Sequence, residues 1–278
     1  RQWTKNGVIF VGLIFSRNLF DPRQFATVLA AFVLFCAISS AMYLFNDLAD
    51  LERDREHPIK RFRPLASGAL SQRLARIIAC GLLAGALTLS LALQLEFGLF
   101  TLLYVGLMFA YNGYLKHQVI LDVLTIAGGF VIRAVAGSIV INVPVSPWLY
   151  VVTILGALFL GFSKRRHELI LLENRATAHR RILQEYTLEF LNQMITIVTA
   201  SAVMAYSLYT FSADNLPKNH AMMLTIPFLL YGIFRYLYLI HLKNAGGSPE
   251  EVLLGDRPLS VNIGLWLLTS VLILYWYR

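Results

Sequence analysis

The sequence predicts an all-α fold: a polytopic membrane bundle of nine transmembrane helices with its N-terminus cytoplasmic. Three observations carry this. Of the 278 residues 57% are hydrophobic and 14% charged, against about 25% charged in soluble domains, and mean hydropathy is +0.62. The apolar residues fall into runs close to the roughly 17–25 that a helix needs to cross a hydrocarbon core. Those runs lack the period-2 alternation of barrel strands, the other spanning structure that lipid permits.

Taken in order, the first span is a short one near 7–20, and the second, 24–45, is the unbroken run TVLAAFVLFCAISSAMYLF. The third, 72–94, carries Gly81 and Gly85 at the GxxxG spacing of close helix packing, and the fourth is 97–113. The fifth, 119–141, holds Arg133 and three glycines, Gly128, Gly129 and Gly137, for which close packing is again the simplest reading. The sixth, 147–163, ends at the basic group Lys164, Arg165 and Arg166; the last three lie near 188–211, 221–241 and 259–277. Together they leave no room for a soluble domain, so one transmembrane domain over 1–278 is expected. The chain starts at Arg1 without methionine, and RQWTKN is not a signal-peptide pattern, which reads as a trimmed N-terminus. Cys36 and Cys80 both fall inside spans, where a small apolar role is expected rather than a disulfide.

Orientation follows from the bases. Eighteen of the 24 Lys and Arg, from Arg1 and Lys5 through Arg53–Arg76, Lys116, Lys164–Arg181, Lys243 and Arg257, lie on one side of this arrangement. The other side has Arg17, Arg23, Lys218 and Arg278, and Arg133 and Arg235 lie within spans. The basic-rich side is the cytoplasmic one by the positive-inside rule. The net charge of +8 is therefore a topology signal, and no nucleic-acid partner is expected.

Four polar stretches fall on that side: Asn46–Leu65, Tyr111–Asp122, Ser163–Arg181 and Ser248–Ser260. In the first, NDLADLERDREHPIKRFRPL, a continued second helix sets Asn46, Asp50 and Asp54 four residues apart and Asp47 three before Asp50, on one broad face. Stacked carboxylates repel each other, and a divalent cation removes the repulsion. Mg²⁺ suits one or two protein carboxylates completed by water and phosphate oxygens. Lys60, Arg61 and Arg63 follow in a loop punctuated by Pro58 and Pro64 and supply positive charge for a phosphate. The plainer reading is a solvated helix end. Asn46 and Asp47 at the end of an apolar span argue against it, because polar groups are costly there. Glu52 and Glu56 lie off that face and are read as solvated.

In the second stretch, Lys116 and Asp122 flank the start of the fifth helix, and Arg133 sits about three turns, ~16 Å, beyond Asp122. Arg133 is read either as a buried structural group on a carboxylate or backbone carbonyls, or as a contact for an anion in the bundle. Lys164, Arg165 and Arg166 are first a topology anchor, with a substrate-phosphate role open for Lys164 and Arg165 and disfavoured for Arg175–Arg181. Asp256, before Pro258, reads as a helix-entry acid. His57, His117, His167 and His179 show no metal-like pairing.

Asn46, Asp47, Asp50 and Asp54 stand as NDxxDxxxD at the cytoplasmic end of the second helix, and in this the chain resembles the UbiA family of membrane prenyltransferases. Lys60, the Arg63–Pro64 pair, Tyr111, Lys116 and the helix count extend the resemblance. Aromatic prenyltransferases of that family usually carry a second DxxxD motif holding a second Mg²⁺; this chain has Asp122 there, with Ile126 four residues on. The text around Asp122, with DREHPIKRFRPLASG and SKRRHELILLE, looks instead like the family's decaprenyl-phosphate phosphoribosyltransferase branch.

That resemblance implies a phosphoribosyl transferase of a bacterial cell membrane, working on the cytoplasmic side. It would move phosphoribose from 5-phosphoribosyl diphosphate (PRPP) to a polyprenyl (decaprenyl) phosphate that enters from the bilayer, for arabinan precursors of the cell wall. Asp47, Asp50 and Asp54, as catalytic residues, would hold Mg²⁺ with Asn46 on the donor's pyrophosphate. Lys60, Arg63, Tyr111, Lys116, Asp122, Arg133, Lys164 and Arg165 are the candidate substrate-binding residues, and a homo-oligomer is left open. Two other readings compete. One is prenyl transfer to an aromatic acceptor such as 4-hydroxybenzoate, with a second acid drawn from Glu168 or Asp256. The other is a transporter or lipid-binding protein, which would place its ionisable groups near the bilayer midplane.

Overall fold

The structure, a computed structural model, describes residues 2–56, 60–173, 181–243 and 249–276. Arg1, His57, Pro58, Arg175, His179, Arg180, Ser248 and Arg278 lie outside the described residues, and so do the expectations attached to them. A 3-10 stretch, Gln2–Ile9, runs into α1 (Phe10–Phe15). In α2 (Pro22–Ala49), Pro22 sets the first helical position and the Asp21 carboxylate accepts from the N–H groups of Arg23 and Gln24. Only Asp50 leaves helical geometry before α3 (Leu51–Glu56). The Asp50 N–H still donates to Asn46 and the Asp54 N–H to Asp50, so the helical path carries on through the acids.

Then come α4 (Gln72–Leu93), capped by Ser71, and α5 (Leu95–Gly113), α6 (Leu121–Ile139) and α7 (Pro147–Glu173). The chain closes with α8 (Leu188–Ser212), capped by Thr187, α9 (Ile226–Leu242), the short α10 (Pro249–Gly255) and α11 (Arg257–Trp276). α7 continues ten residues past the expected end at 163, so Arg165 and Glu168 sit on a helix rather than a loop.

Among the described residues eight helices, not nine, are long and apolar enough to cross a membrane: α2, α4, α5, α6, α7, α8, α9 with its 3-10 lead-in from Ala221, and α11. The expected first span is the shorter helix Trp3–Phe15. Its 3-10 part climbs about 2.0 Å per residue against 1.5 Å for an α-helix. Even so, it falls short of the roughly 30 Å hydrocarbon core.

α6 is the central helix: 61% of its apolar window is buried, more than in any other span. It packs on α5, α7 and the N-terminal segment. The last of these crossings is set by glycine. A Cβ on Gly137 would lie 2.0 Å from the Ile9 carbonyl oxygen, and one on Gly12 would lie 2.9 Å from the Ser138 Cα. Gly128 and Gly129 leave only ordinary contact distances. Gly81 and Gly85 depart from expectation, since nothing lies within 4 Å of either Cβ position; their GxxxG spacing faces outward on α4. Cys36 and Cys80 are free thiols.

Polar contacts hold both ends of the bundle. At one, the Tyr275 hydroxyl accepts from the Leu19 N–H at 2.8 Å and donates to the Ile14 carbonyl at 3.2 Å, and Gln94 donates to Asn142 at 2.9 Å. At the other, Lys5 meets Glu250 at 2.8 Å, Lys116 meets Asp50 at 3.2 Å and Arg165 meets Asp122 at 2.7 Å. The described parts of the four polar stretches thus share one end.

Candidate active site

The α2–α3 junction presents Asp47, Asp50 and Asp54 on one face because a residue three or seven places along a helix returns to nearly the same side. The loop after α3 folds back over that face through its 3-10 turn, Lys60–Phe62. Arg63 then sits between two acids, its Nη1 donating to Asp47 Oδ1 and to Asp54 Oδ2, each at 2.7 Å. Asp54 is only 3% exposed, and Lys60 Nζ lies 3.8 Å from its other oxygen. From the middle of the next polar stretch, Lys116 Nζ reaches Asp50 Oδ1 at 3.2 Å. Asn46 is half-buried on the last turn of α2. Three acids and three bases, predicted as separate metal and phosphate groups, are therefore brought together and paired.

Glu52 points away, exposed, and pairs with Arg55 at 2.9 Å, as its position off the face requires. Among the described residues no three His, Cys, Asp or Glu side chains stand in a metal-holding cluster. The donor chemistry nonetheless fits Mg²⁺: hard carboxylate oxygens, two of them already converging on one cationic nitrogen.

Asp122 occupies a second, closed network. It is fully buried, and both its oxygens are engaged: Oδ2 by Arg165 Nε at 2.7 Å and Oδ1 by the Tyr186 hydroxyl at 2.8 Å. Tyr186 in turn accepts from the Ile120 N–H at 2.7 Å, fixing Ile120 at φ +69°, a strained value for a β-branched residue. Burial pushes the Tyr186 phenol above its ordinary range, with the Asp122 carboxylate adding to the effect, and so keeps it a donor. Arg165, 3% exposed, also pairs with Glu168, which Lys164 approaches at 4.0 Å. Tyr111, half-buried on the last turn of α5, lies within electrostatic reach of Arg165. Asp122 and Arg165, expected on substrate, are thus bound to each other, because two charges withdrawn from water must be paired.

Glu168, not Asp256, is the acid beside this pair. Asp256 accepts from Nη2 and Nε of Arg235, at 2.8 and 3.1 Å, and caps α11 through the Leu259 N–H; Arg235 holds its carboxyl below the usual range. Arg133 lies far inside, 7% exposed. It donates to the Gly129 carbonyl at 3.1 Å and the Tyr104 hydroxyl at 2.6 Å, and its guanidinium sits 4.5 Å from the Tyr104 ring centre. Carbonyl, phenol and ring take the place of the carboxylate partner among the described residues. Arg166 is a strut, donating to Asn192 of α8 and to the Ile240 carbonyl of α9. Tyr186 escaped the sequence reading because it follows a linker with no periodic signal. A groove of about 780 Å³ between α8 and α9 contains none of these acids.

A helical membrane bundle whose second helix ends in paired acids and bases defines a class, and the chain belongs to the UbiA prenyltransferase family, whose model matches residues 7–249. Within curated relatives it is 34% identical to the decaprenyl-phosphate phosphoribosyltransferase of Mycolicibacterium smegmatis, over 96% of this chain and 87% of that one. Its identity to the enzyme of the same name from Corynebacterium glutamicum is also 34%, over 99% and 84% of the two chains. Of solved structures, a UbiA homolog from Archaeoglobus fulgidus bound to GPP and Mg²⁺ shares the fold, with TM-score 0.69 over 99% of this chain and 98% of that one, at 16% identity.

Proposed function

We propose that the protein transfers the 5-phosphoribosyl group of PRPP to decaprenyl phosphate or a similar polyprenyl phosphate and releases pyrophosphate. The observation that carries this reading is the paired set Asp47, Asp50, Asp54, Lys60, Arg63 and Lys116. It stands in a chain 34% identical, over nearly its whole length, to decaprenyl-phosphate phosphoribosyltransferases. The oxygen of the acceptor phosphate bonds to C1 of the ribose as the bond from C1 to the pyrophosphate breaks. Asp47, Asp50 and Asp54, with Asn46, are the residues that would hold Mg²⁺. When bound, it supplies charge neutralisation of the departing pyrophosphate.

Lys60, Arg63 and Lys116 take up phosphate oxygens, Arg63 in the forked geometry guanidinium allows. A phosphate acceptor is already an anion near neutral pH, so no strong general base is needed. Lys164, 42% exposed on α7 just past its apolar run, is placed to draw the lipid phosphate, while Asp122, Tyr186 and Arg165 hold α6, α7 and the segment before α8 in register. The polar end faces the cytoplasm, where the water-soluble donor is found, and the acceptor enters laterally from the bilayer.

Glu168 beside Asp122 is the observation that favours the alternative, prenyl transfer to an aromatic acceptor, since it offers a second acid. Its engagement by Arg165 speaks against that use. Purified protein with Mg²⁺ is to be given PRPP with polyprenyl phosphate, or polyprenyl diphosphate with 4-hydroxybenzoate. Lipid product is expected in the first mixture alone; product only in the second would replace this reading with the alternative.

A further inference from the structure

Arg63 spends both hydrogens of Nη1 on the acids, one on Asp47 and one on Asp54, and Lys116 is committed to Asp50. A metal ion that takes these same carboxylate oxygens has to displace Arg63 or Lys116 from them. Asp47, Asp50 and Asp54 are offset by Lys60, Arg63 and Lys116, and the exposed Arg53 lies a further 3.9 Å from Asp50. A divalent cation alone, or a diphosphate alone, would leave excess charge beside the nearly buried Asp54, where unpaired charge is costly. The two together largely offset one another.

From this we infer that Arg63 and Lys116 are resident counter-cations that change partners when the site fills. Asp47 and Asp54 pass from Arg63 to the metal, Asp50 passes from Lys116, and the released guanidinium and ammonium close on the diphosphate. This rests on the metal-diphosphate reading given above and adds to it a coupling: each ligand prepares the groups the other needs, so metal and diphosphate bind cooperatively, and each raises the other's affinity by the same factor. Arg63 thereby guards the carboxylate face against a bare metal ion. Lys60, farther from Asp54, takes no part in the exchange.

The test uses the full chain in detergent, with melting temperature followed against buffered free Mg²⁺, with and without inorganic pyrophosphate. In the unmodified protein pyrophosphate is expected to lower the half-saturating Mg²⁺ concentration on the order of 5–150-fold. Arg63→Gln is expected to melt lower without Mg²⁺, to recover with Mg²⁺ alone, and to half-saturate at several-fold lower Mg²⁺ when pyrophosphate is absent, with the coupling factor reduced. Lys116→Gln should shift in the same direction and carries the test if the Arg63 variant does not fold. Half-saturation of the variants at the unmodified protein's Mg²⁺ concentration or above, without pyrophosphate, would overturn the exchange while leaving the metal-diphosphate reading intact. No stabilisation of any of the three proteins by Mg²⁺, with or without pyrophosphate, would sink that reading and the exchange with it.

Discussion

At the scale of single residues, similar carboxylates do different work according to what they face. Asp50 is half-buried against Lys116, whereas Glu52, two residues on, is exposed and held by an i,i+3 pair with Arg55, which is worth about 0–1 kcal/mol. Asp50→Asn is expected to lower turnover by at least about 100-fold with the melting profile in detergent retained. Glu52→Gln should stay within about twofold, since surface changes away from special features are usually within ±0.5 kcal/mol. Near-normal turnover of the Asp50 variant would remove it from the metal site. Asp122 is the opposite case, a carboxylate enclosed by Arg165 and Tyr186. A hydrogen bond to a charged group contributes about 1.5–3 kcal/mol, so Tyr186→Phe should lose about that much stability in a denaturation series. An unchanged midpoint would mean the phenol is not holding the carboxylate.

The acids were legible in the sequence because their spacing and a helix period suffice to place them. Their partners were not, because whether Arg63 meets a phosphate or the acids themselves depends on how the loop after α3 returns. Tyr186 was hidden for a related reason: only the three-dimensional course of the segment before α8 brings it to Asp122.

At the scale of elements, the spans were readable because lipid demands a continuous apolar run, and the run boundaries fall within a few residues of α2, α4, α5, α8, α9 and α11. α7 ran past its expected end because the pairs that Glu168 makes with Lys164 and Arg165 lie one turn apart and support the helix beyond the apolar run. The first segment was misjudged as a full span. Apolar character predicts burial, but not that half the segment is 3-10, nor that it is buried against α6. GxxxG spacing was equally silent on which face has a partner. Gly137→Ala should therefore cost about 1–3 kcal/mol, since its Cβ would meet the Ile9 carbonyl and overpacking costs about that much. Gly81→Ala and Gly85→Ala, with open space around them, should leave the melting temperature in detergent unchanged or slightly raised. Equal losses at all three glycines would mean that the α4 face also has a partner.

At the scale of the whole molecule, acids and bases gathered at one end give a bundle with a chemical face and a plain face. The chemical face belongs in the cytoplasm if the basic residues set the orientation. In a cysteine-free background, a thiol at the exposed position Ser67 should be labelled only from the cytoplasmic side, and one at Asp214 only from the outside; the reverse pattern would put the donor site on the wrong side for PRPP. The central claim, that the carboxylate face holds a diphosphate whose ribose leaves it, is tested most directly with doubly labelled PRPP, ¹⁴C in the ribose and ³²P in the β-phosphate. Incubated with the purified protein, Mg²⁺ and decaprenyl phosphate, the ribose label should move into the lipid fraction as an equal amount of ³²P pyrophosphate appears in water. Appearance of ³²P in the lipid, or a lipid fraction free of ribose label, would contradict it.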